Sequence, residues 1–527
     1  MAWIDVGAAA DLKKTGKLVV RHEGRQILLL ENAAGRFACL NRCPHEGYPL
    51  REGTITADAE SCVLTCQWHN WKFDLVNGAT LVGGDRLTRF SVRATGERIE
   101  LDIVPEDPAA SRQRHLTNLA GALTQADQQR IIRETARLLK TGATPGEILR
   151  HAFAWAHPRL EFGATHALGA APDWLALAAA QGDDPEILLI ALGEILGHLA
   201  DDARDRTFYP YPDGIEEWDE KAFLAALEAQ DEARAILTLR GGIAAGLTPY
   251  DWQRITARAA LSHYADFGHA LIYSVKTADL LHEIGPDAAA PLLEMLVRSL
   301  CLATREDLIP EFRLYAECRA RWGEKLMAPP PLSVAALRSV TPRTILPLVT
   351  TWSAQHAPGA IFATLLDAAA RQMLHADEKR FRATDNALAD NVNWLDFTHA
   401  LTFAQAGLQV VWEDPSLWPD LLLQLGCFVG RNAAYVDHDI DVTPYFVGDV
   451  DAFWPAQLDA LLDHGRGRFI ISSHLVKTLT AASQLAISHP ELANRLAAAL
   501  NRFLWADLKE RHARRDARQM LRLVAEE

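Results

Sequence analysis

The chain has 527 residues, of which 49% are hydrophobic and 23% are charged, and its formal net charge is −15. A chain of this length is too long for one hydrophobic core, so the sequence predicts at least two domains. The negative charge disfavours nucleic acids and anionic membranes as the main partner, because both would repel the protein.

The N-terminal residues lack the basic and apolar segments of a signal peptide. No apolar run reaches the length of about eighteen residues that a membrane-spanning helix needs. We therefore expect a cytoplasmic protein that has no membrane partner.

The first hundred residues contain short segments with the alternating pattern of β-strands, bounded by turn residues such as Asn77-Gly78. This pattern predicts a small all-β domain at residues 1–107. The strand-like segments are 17–20, 26–30, 62–65, 90–92 and 99–103.

A proline-containing break follows, and we expect a linker at residues 108–112. Beyond it, apolar residues recur at helical spacing in segments such as 128–140 and 492–504. The sequence therefore predicts a multidomain chain, in which a small all-β domain precedes a large all-α domain at 113–527. A proline-rich break suggests that this second domain consists of two halves that meet near 326–333.

Two short motifs in the β-domain alternate cysteine and histidine. Cys43 and His45 form a C-x-H motif, and Cys66 and His69 form a C-x-x-H motif about twenty residues later. A [2Fe-2S] centre in which two thiolates hold one iron and two imidazoles hold the other needs this ligand set. Zinc is the rival metal, but zinc fingers usually pair two cysteines in one motif and two histidines in the other.

On these motifs, residues 1–107 resemble the Rieske ferredoxins and the N-terminal domains of Rieske oxygenases. The resemblance implies a [2Fe-2S] cluster on these four ligands. High-potential members of the family have a disulfide between the two loops where this chain has Tyr48 and Trp68, and hydroxyl donors to the cluster where it has Trp71 and Phe73. We therefore expect a low potential, around −150 mV.

A one-electron carrier needs a donor and an acceptor. The sequence has no G-x-G-x-x-G motif after a strand, so we expect a separate electron-donating reductase. The remainder also lacks the α+β pattern and the 2-His-1-carboxylate motif of Rieske oxygenase catalytic domains, which argues against a ring-hydroxylating dioxygenase. The acceptor is therefore either another protein or a site in the helical domain.

A faint repeat marks the helical domain. In each copy a small residue precedes a histidine and an apolar helix follows; a second helix with a proline near its start comes sixteen to nineteen residues later. Such helix pairs are typical of an α-solenoid or a closed α-toroid. The repeat histidines are His166, His269, His399 and His474.

If the toroid closes, these histidines face a common cavity, where they could bind a second metal or act as catalytic acid and base. The alternative is that each histidine supports the same structural joint in every repeat. His263 and Asp396 are further candidates for a ligand or a supporting role. Lys276 and Lys477 could contact an anion, although packing on the helix is the simpler interpretation.

The segments that begin at His269 and His399 are similar to those of questin-oxidase-like proteins, a family associated with Baeyer–Villiger-type oxygen insertion into polycyclic quinones. The resemblance implies that a histidine-lined helical domain can perform oxygenation.

Two functional hypotheses remain open. In the first, the chain is an oxidoreductase, monooxygenase-like, whose cluster passes electrons to the repeat histidines and which acts on a small aromatic or polycyclic substrate. In the second, the chain is a non-enzymatic electron carrier or redox sensor whose helical domain docks a partner protein. A homo-oligomer is expected under the first hypothesis if electrons pass between subunits.

Overall fold

The computed structural model describes residues 3–57, 61–104, 107–182, 184–525 and 527. The chain divides into two compact units, Met1–Asn118 and Leu119–Glu527. None of the described helices is both long enough and apolar enough to cross a bilayer.

The described residues of the first unit form two antiparallel sheets, the short helix α1 (Ala9–Thr15) and the first part of the helix that begins at Pro108. The strand order is β1-β10-β9-β4-β3-β2 in the larger sheet and β5-β6-β7-β8 in the smaller one. The strands are β1 (Trp3–Ala8), β2 (Lys17–His22), β3 (Arg25–Asn32), β4 (Gly35–Leu40), β5 (Thr54–Ala57), β6 (Cys62–Thr65), β7 (Lys72–Asp74), β8 (Thr80–Val82), β9 (Arg89–Thr95) and β10 (Arg98–Asp102).

Strand β3 separates two apolar cores. Leu28 and Leu30 pack in one core together with Leu64 and Phe73 of the smaller sheet. Their neighbours Ile27 and Leu29 lie in the other core. Successive side chains of a strand point to opposite faces, so the unbroken apolar run of β3 reflects burial on both sides.

Residues 108–112, where the sequence predicts a linker, form the first turn of a helix instead. Asp107 accepts a hydrogen bond from the Ala110 amide at 3.0 Å, and Pro108 is the first helical residue. A capping aspartate followed by proline is a typical helix start, because proline at the first position loses no helical hydrogen bond.

The rest of the described chain is helical, which confirms the predicted order of a β-domain and a large all-α region. The proline-rich segment near residue 330 lies between α12 and α13, within the second compact unit. The helices are α2 (Pro108–Gln125), α3 (Gln128–Lys140), α4 (Pro145–Ala156), α5 (His166–Ala180), α6 (Pro185–Ala203), α7 (Glu220–Glu228), α8 (Glu232–Ala244), α9 (Pro249–Leu261), α10 (His269–Ile284), α11 (Ala289–Leu302), α12 (Tyr315–Ala320), α13 (Pro342–Ser353), α14 (Pro358–Leu374), α15 (Glu378–Arg382), α16 (Trp394–Glu413), α17 (Trp418–Asn432), α18 (Val450–Ala460), α19 (Phe469–Ser488), α20 (Ala493–Leu504) and α21 (Ala513–Ala525).

The four helices that carry the repeat histidines form a closed ring. Helix α5 packs on α10, α10 on α16, α16 on α19, and α19 on α5. The second helix of each repeat, α6, α11, α17 or α20, packs on the ring helix that precedes it. The repeats therefore build an inner four-helix bundle with an outer layer, as an α-toroid does.

Three of the ring helices, α5, α10 and α16, run in the same direction and in register. His166 contacts His269, and seven residues further along both helices Asp173 contacts Lys276. Likewise, Asp279 of α10 accepts a hydrogen bond from Gln409 of α16, each ten residues after its helix's repeat histidine. The repeat histidines therefore share one level of the bundle.

Close packing of α16 on α17 depends on a glycine. A Cβ atom at Gly407 would overlap the side chain of Leu421, whereas a Cβ atom at Gly359 of α14 meets no atom within 4 Å. We expect Gly407→Ala to lower the free energy of unfolding by about 1–3 kcal/mol through overpacking. Gly359→Ala should raise it slightly, because alanine restricts the unfolded chain. Chemical denaturation followed by circular dichroism tests the pair, and equal effects would contradict the packing argument.

Candidate redox and metal centres

The two motif loops of the β-unit have the same backbone hydrogen bonds. In the first, the Cys43 amide donates to the Tyr48 carbonyl at 2.8 Å, and the Gly47 amide donates to the Cys43 carbonyl. In the second, the Cys66 amide donates to the Trp71 carbonyl at 2.8 Å, and the Asn70 amide donates to the Cys66 carbonyl. Gly47 and Asn70, the fifth residue of each loop, both have positive φ angles, of 76° and 59°. Glycine and asparagine are the residues that most readily adopt this conformation.

The loops bring the four predicted ligands together. The Nδ1 atoms of His45 and His69 lie 3.1 Å apart, and the Cys43 and Cys66 residues are 4% and 1% exposed. Burial, followed by the nearby Cys66 thiol, raises the pKa of the Cys43 thiol to about 11. Buried thiols need a cation to ionise, and two imidazole nitrogens at this distance can bind one iron. The donor set therefore fits a [2Fe-2S] cluster on Cys43, His45, Cys66 and His69.

Aromatic side chains surround this site. The Tyr48 and Trp68 rings contact each other with centroids 5.2 Å apart, so a ring contact joins the two loops where high-potential relatives are expected to have a disulfide. The Trp71 ring stacks on His45 at 4.5 Å. Phe73, at the other predicted donor position, is fully buried.

The helical unit contains a second cluster of donor atoms at the N-terminal level of the inner bundle. His166 and His269 are the first residues of α5 and α10, where the sequence predicts them. His399 and His474 instead lie in the second turns of α16 and α19, because these helices begin five residues earlier, at Trp394 and Phe469.

The four imidazoles point their Nε2 atoms toward one another. These atoms are separated by 3.1 Å between His166 and His269, and by 3.0 Å between His269 and His399. The separation between His399 and His474 is 3.3 Å. Ligand atoms of His166, His399 and His474 all lie within 4.8 Å of one another and form a group that could hold a metal.

The outer ring nitrogens bind supporting groups. Nδ1 of His269 donates to the Asp266 carbonyl at 2.8 Å, and Nδ1 of His474 donates to the Ile470 carbonyl at 2.7 Å. Nδ1 of His166 lies 3.3 Å from the Tyr273 hydroxyl. A carbonyl oxygen can only accept, so the neutral forms of His269 and His474 carry their hydrogen on Nδ1 and present a lone pair at Nε2.

The environment keeps these imidazoles neutral. Burial lowers the pKa of all four, that of His269 to about 4, and the Lys477 ammonium contributes to each shift. Burial also lowers the pKa of Lys477 to about 7. One carboxylate, Asp173, faces two lysines here, and it forms a 2.8 Å ion pair with Lys276. At Lys477, desolvation disfavours the charge more strongly than Asp173 restores it. At Lys276, Asp173 and Asp279 together outweigh desolvation, and the pKa of this lysine is raised.

The other predicted candidates lie outside this cluster. His263 bonds to Glu228 and Asp307 in an ion-pair network. Asp396 caps α16 by accepting a hydrogen bond from the Asn393 amide. Both have structural partners, and neither contributes an atom to the group that could hold a metal.

Sequence patterns did not reveal three neighbours of the cluster. They are Tyr273, the loop residue Asp266, and His198 of α6, whose Nδ1 atom lies 2.7 Å from the Ser473 hydroxyl. The only available signal was spacing, since Tyr273 is one helical turn after His269.

The loop that precedes α10 is strained. Asp266, Phe267 and Gly268 have successive φ angles of 50°, 53° and 82°. The Phe267 ring packs on His399 with centroids 5.2 Å apart, and its amide donates to the Glu306 carboxylate at 2.9 Å. Non-glycine residues rarely adopt such angles unless the surroundings hold them there.

Comparison with known proteins concerns the N-terminal unit. A family model for the Rieske [2Fe-2S] domain matches residues 2–86. The ferredoxin component of the alkene monooxygenase system of Xanthobacter autotrophicus is 31% identical over 105 residues, which cover 20% of this chain and 83% of that protein. A solved structure, the ferredoxin of carbazole 1,9a-dioxygenase from Nocardioides aromaticivorans IC177, is 22% identical with a TM-score of 0.18, and the match covers 19% of this chain and 97% of that chain.

The surroundings of the cluster site predict its reduction potential. Trp71 and Phe73 carry no hydroxyl, so we expect voltammetry of the full chain to give about −150 mV, the low end of the Rieske range. Phe73→Tyr should shift the potential upward, because a hydroxyl donor stabilises the added electron. Phe37→Tyr, in the same core but on another strand, is the control. A wild-type potential above zero would contradict the expectation.

Burial of His198 predicts a pH-dependent stability. Its pKa is lowered to about 3, chiefly by burial, whereas an unfolded histidine titrates near 6.5. Below that pH only the unfolded state binds the proton, so the free energy of unfolding falls by up to about 1.4 kcal/mol per pH unit. Replacing His198 by glutamine should remove this contribution. Denaturation at pH 7.5 and pH 5.5 measures it, and identical pH slopes for both proteins would refute it.

Proposed function

Because the chain belongs, through residues 2–86, to the Rieske [2Fe-2S] domain family, we propose that it is an iron–sulfur oxidoreductase that passes electrons from its cluster to the histidine cluster of its helical unit. The observation that carries the proposal is the convergence of four imidazole nitrogens inside the same polypeptide. A Rieske cluster carries one electron at a time and needs an acceptor.

Fusion of carrier and acceptor supports this function. A covalent link raises the effective concentration of one site near the other, so that electron delivery needs no diffusional search. The route runs within one chain or, in a homo-oligomer, between chains. A separate reductase supplies the electrons.

We further propose that the reaction is a monooxygenation. The similar ferredoxin from Xanthobacter belongs, by its name, to a monooxygenase system. Such a reaction combines a substrate with O2, two electrons and two protons; one oxygen atom enters the substrate and the other leaves as water. A one-electron cluster supplies the two electrons in two successive transfers.

An aromatic substrate suits the surroundings of the histidines. Phe267 contacts both His399 and Phe428, and Phe403 also contacts Phe428, with ring centroids between 5.2 and 5.3 Å apart. Tyr273 lies beside His166 and His269. Aromatic side chains stack on planar ligands in offset or edge-to-face geometry.

A carrier or sensor whose helical unit docks a partner is the alternative. A helical unit that docks a partner protein would present its functional side chains on an exposed surface. The four Nε2 atoms instead point inward, and His399 and His474 are only 6% and 2% exposed, which favours the oxidoreductase.

Reoxidation of the cluster tests the proposal. The full chain is reduced without oxygen and mixed with oxygenated buffer, and the cluster absorbance is followed. We expect His269→Ala to slow reoxidation about tenfold or more, because the acceptor site is lost. His282→Ala changes an exposed histidine of the same helix and should leave the rate unchanged. Equal rates in both variants and the wild type would overturn the proposed electron path.

A further inference from the structure

The contacts among the four Nε2 atoms require more hydrogens than the neutral imidazoles can supply. There are three close contacts, of 3.1, 3.0 and 3.3 Å. At this distance two ring nitrogens either share a hydrogen or both direct lone pairs at a cation, because two lone pairs repel each other. Each contact in an ion-free cluster therefore needs its own N–H group.

Two of the four rings cannot supply that hydrogen. The Nδ1 atoms of His269 and His474 donate to backbone carbonyls, which fixes the hydrogen of each neutral ring on the outer nitrogen. Only His166 and His399 remain as donors. Two N–H groups cannot supply a hydrogen to all three Nε2–Nε2 contacts. In at least one contact, therefore, the two nitrogens direct their lone pairs at each other.

A hydrogen on Nε2 of His399 carries a second cost. Its Nδ1 atom would then be a lone pair, and the backbone group of Leu395 that faces this buried ring is a carbonyl, which can only accept a hydrogen bond. An unpaired buried acceptor is unfavourable. Without an ion, therefore, one Nε2–Nε2 contact has no hydrogen, and Nδ1 of His399 has no hydrogen-bond donor.

An additional proton is a poor remedy for this deficit. One proton joins only a single pair of nitrogens, and it places a full charge on one ring of a cluster in which His399 and His474 are buried. A metal ion differs from a proton because it accepts lone pairs from several nitrogens at once.

We propose that one transition-metal ion binds the Nε2 atoms of all four imidazoles. Nitrogens that share an ion at 2.0–2.1 Å lie about 2.8–3.4 Å apart for angles between square and tetrahedral, and the three neighbouring distances match this range. His166, His399 and His474 form the group of mutually close ligand atoms, and His269 adjoins two of its members, His166 and His399. The ligands are His166, His269, His399 and His474, one from each helix of the inner ring.

The surroundings are those of a metal site. Ligating histidines generally donate their other ring nitrogen to a carbonyl or a carboxylate, which fixes the tautomer and the ring orientation. His269 and His474 do so here, and the Asp266 carboxylate lies 3.9 Å from Nδ1 of His269. A carboxylate at that position partly balances the charge of an ion held by neutral ligands.

The ligand chemistry restricts the identity of the ion. Imidazole suits iron, copper, nickel and zinc, whereas magnesium, calcium and manganese prefer oxygen ligands. The existence of a metal site is inferred from the geometry of the histidines alone. The choice of a redox-active ion, iron or copper, rests on the proposed function, because zinc cannot accept an electron.

Metal analysis of the full chain tests the inference. The cluster accounts for two irons and two sulfides, so we expect about one further ion of iron or copper per chain. His399→Ala and His269→Gln should lose that ion and keep the electron paramagnetic resonance signal of the reduced cluster. His198→Gln, at a buried histidine that bonds to Ser473 and is not a proposed ligand, should keep both.

A second measurement uses only wild-type protein and therefore does not depend on whether the variants fold. Wild-type protein stripped of its ion by a chelator is titrated with Co²⁺, which should give the visible bands of a nitrogen-ligated ion and saturate at about one equivalent per chain. No saturable binding, or an ion retained by both ligand variants, would overturn the proposal. A bound ion without any effect on cluster reoxidation would instead leave the metal site standing and refute the proposed electron path.

Discussion

Neutral imidazole nitrogens at hydrogen-bonding distance need a hydrogen or a cation between them, and the arrangement of the helical unit depends on that requirement. Four helices bring one such nitrogen each to a single level. The contacts of Asp173 with Lys276 and of Asp279 with Gln409 show that three of these helices, α5, α10 and α16, run parallel and in register. Outer helices cover the ring, and their burial of the cluster keeps the imidazoles uncharged.

In the β-unit, two loops rather than four helices bring the donor atoms together. Two loops with the same hydrogen-bond pattern present one cysteine and one histidine each, so that like ligands from different loops meet. The thiols lie in the apolar core, whereas the His45 and His69 side chains are 20% and 38% exposed. One side of the cluster site is therefore shielded, and the imidazole side is partly open to solvent.

Local patterns in the sequence predicted five of the ten described strands, β2, β3, β6, β9 and β10, and the order of a β-domain and an all-α region. They also led to the prediction of the four cluster ligands, because a ligand motif depends on spacing within a short segment. The repeat histidines were found by the same means. Their convergence was predicted only on the condition that the toroid closes, since it depends on ring closure across 308 residues, from His166 to His474. The start of α2 was predicted as a linker, because the pair Asp107-Pro108 is compatible both with a break between domains and with the capped start of a helix. Asp266 gave no signal and Tyr273 only its spacing from His269, because their roles follow from where neighbouring helices lie.

The parallel direction of the ring helices has an electrical consequence. Each helix carries a partial positive charge at its N-terminus, and α5 and α10 both begin at the histidine cluster. Helices that alternate in direction would cancel these fields, whereas parallel helices add them. The field of these helices at the cluster opposes an added proton and favours an added electron, so this end of the bundle is the more favourable destination for negative charge.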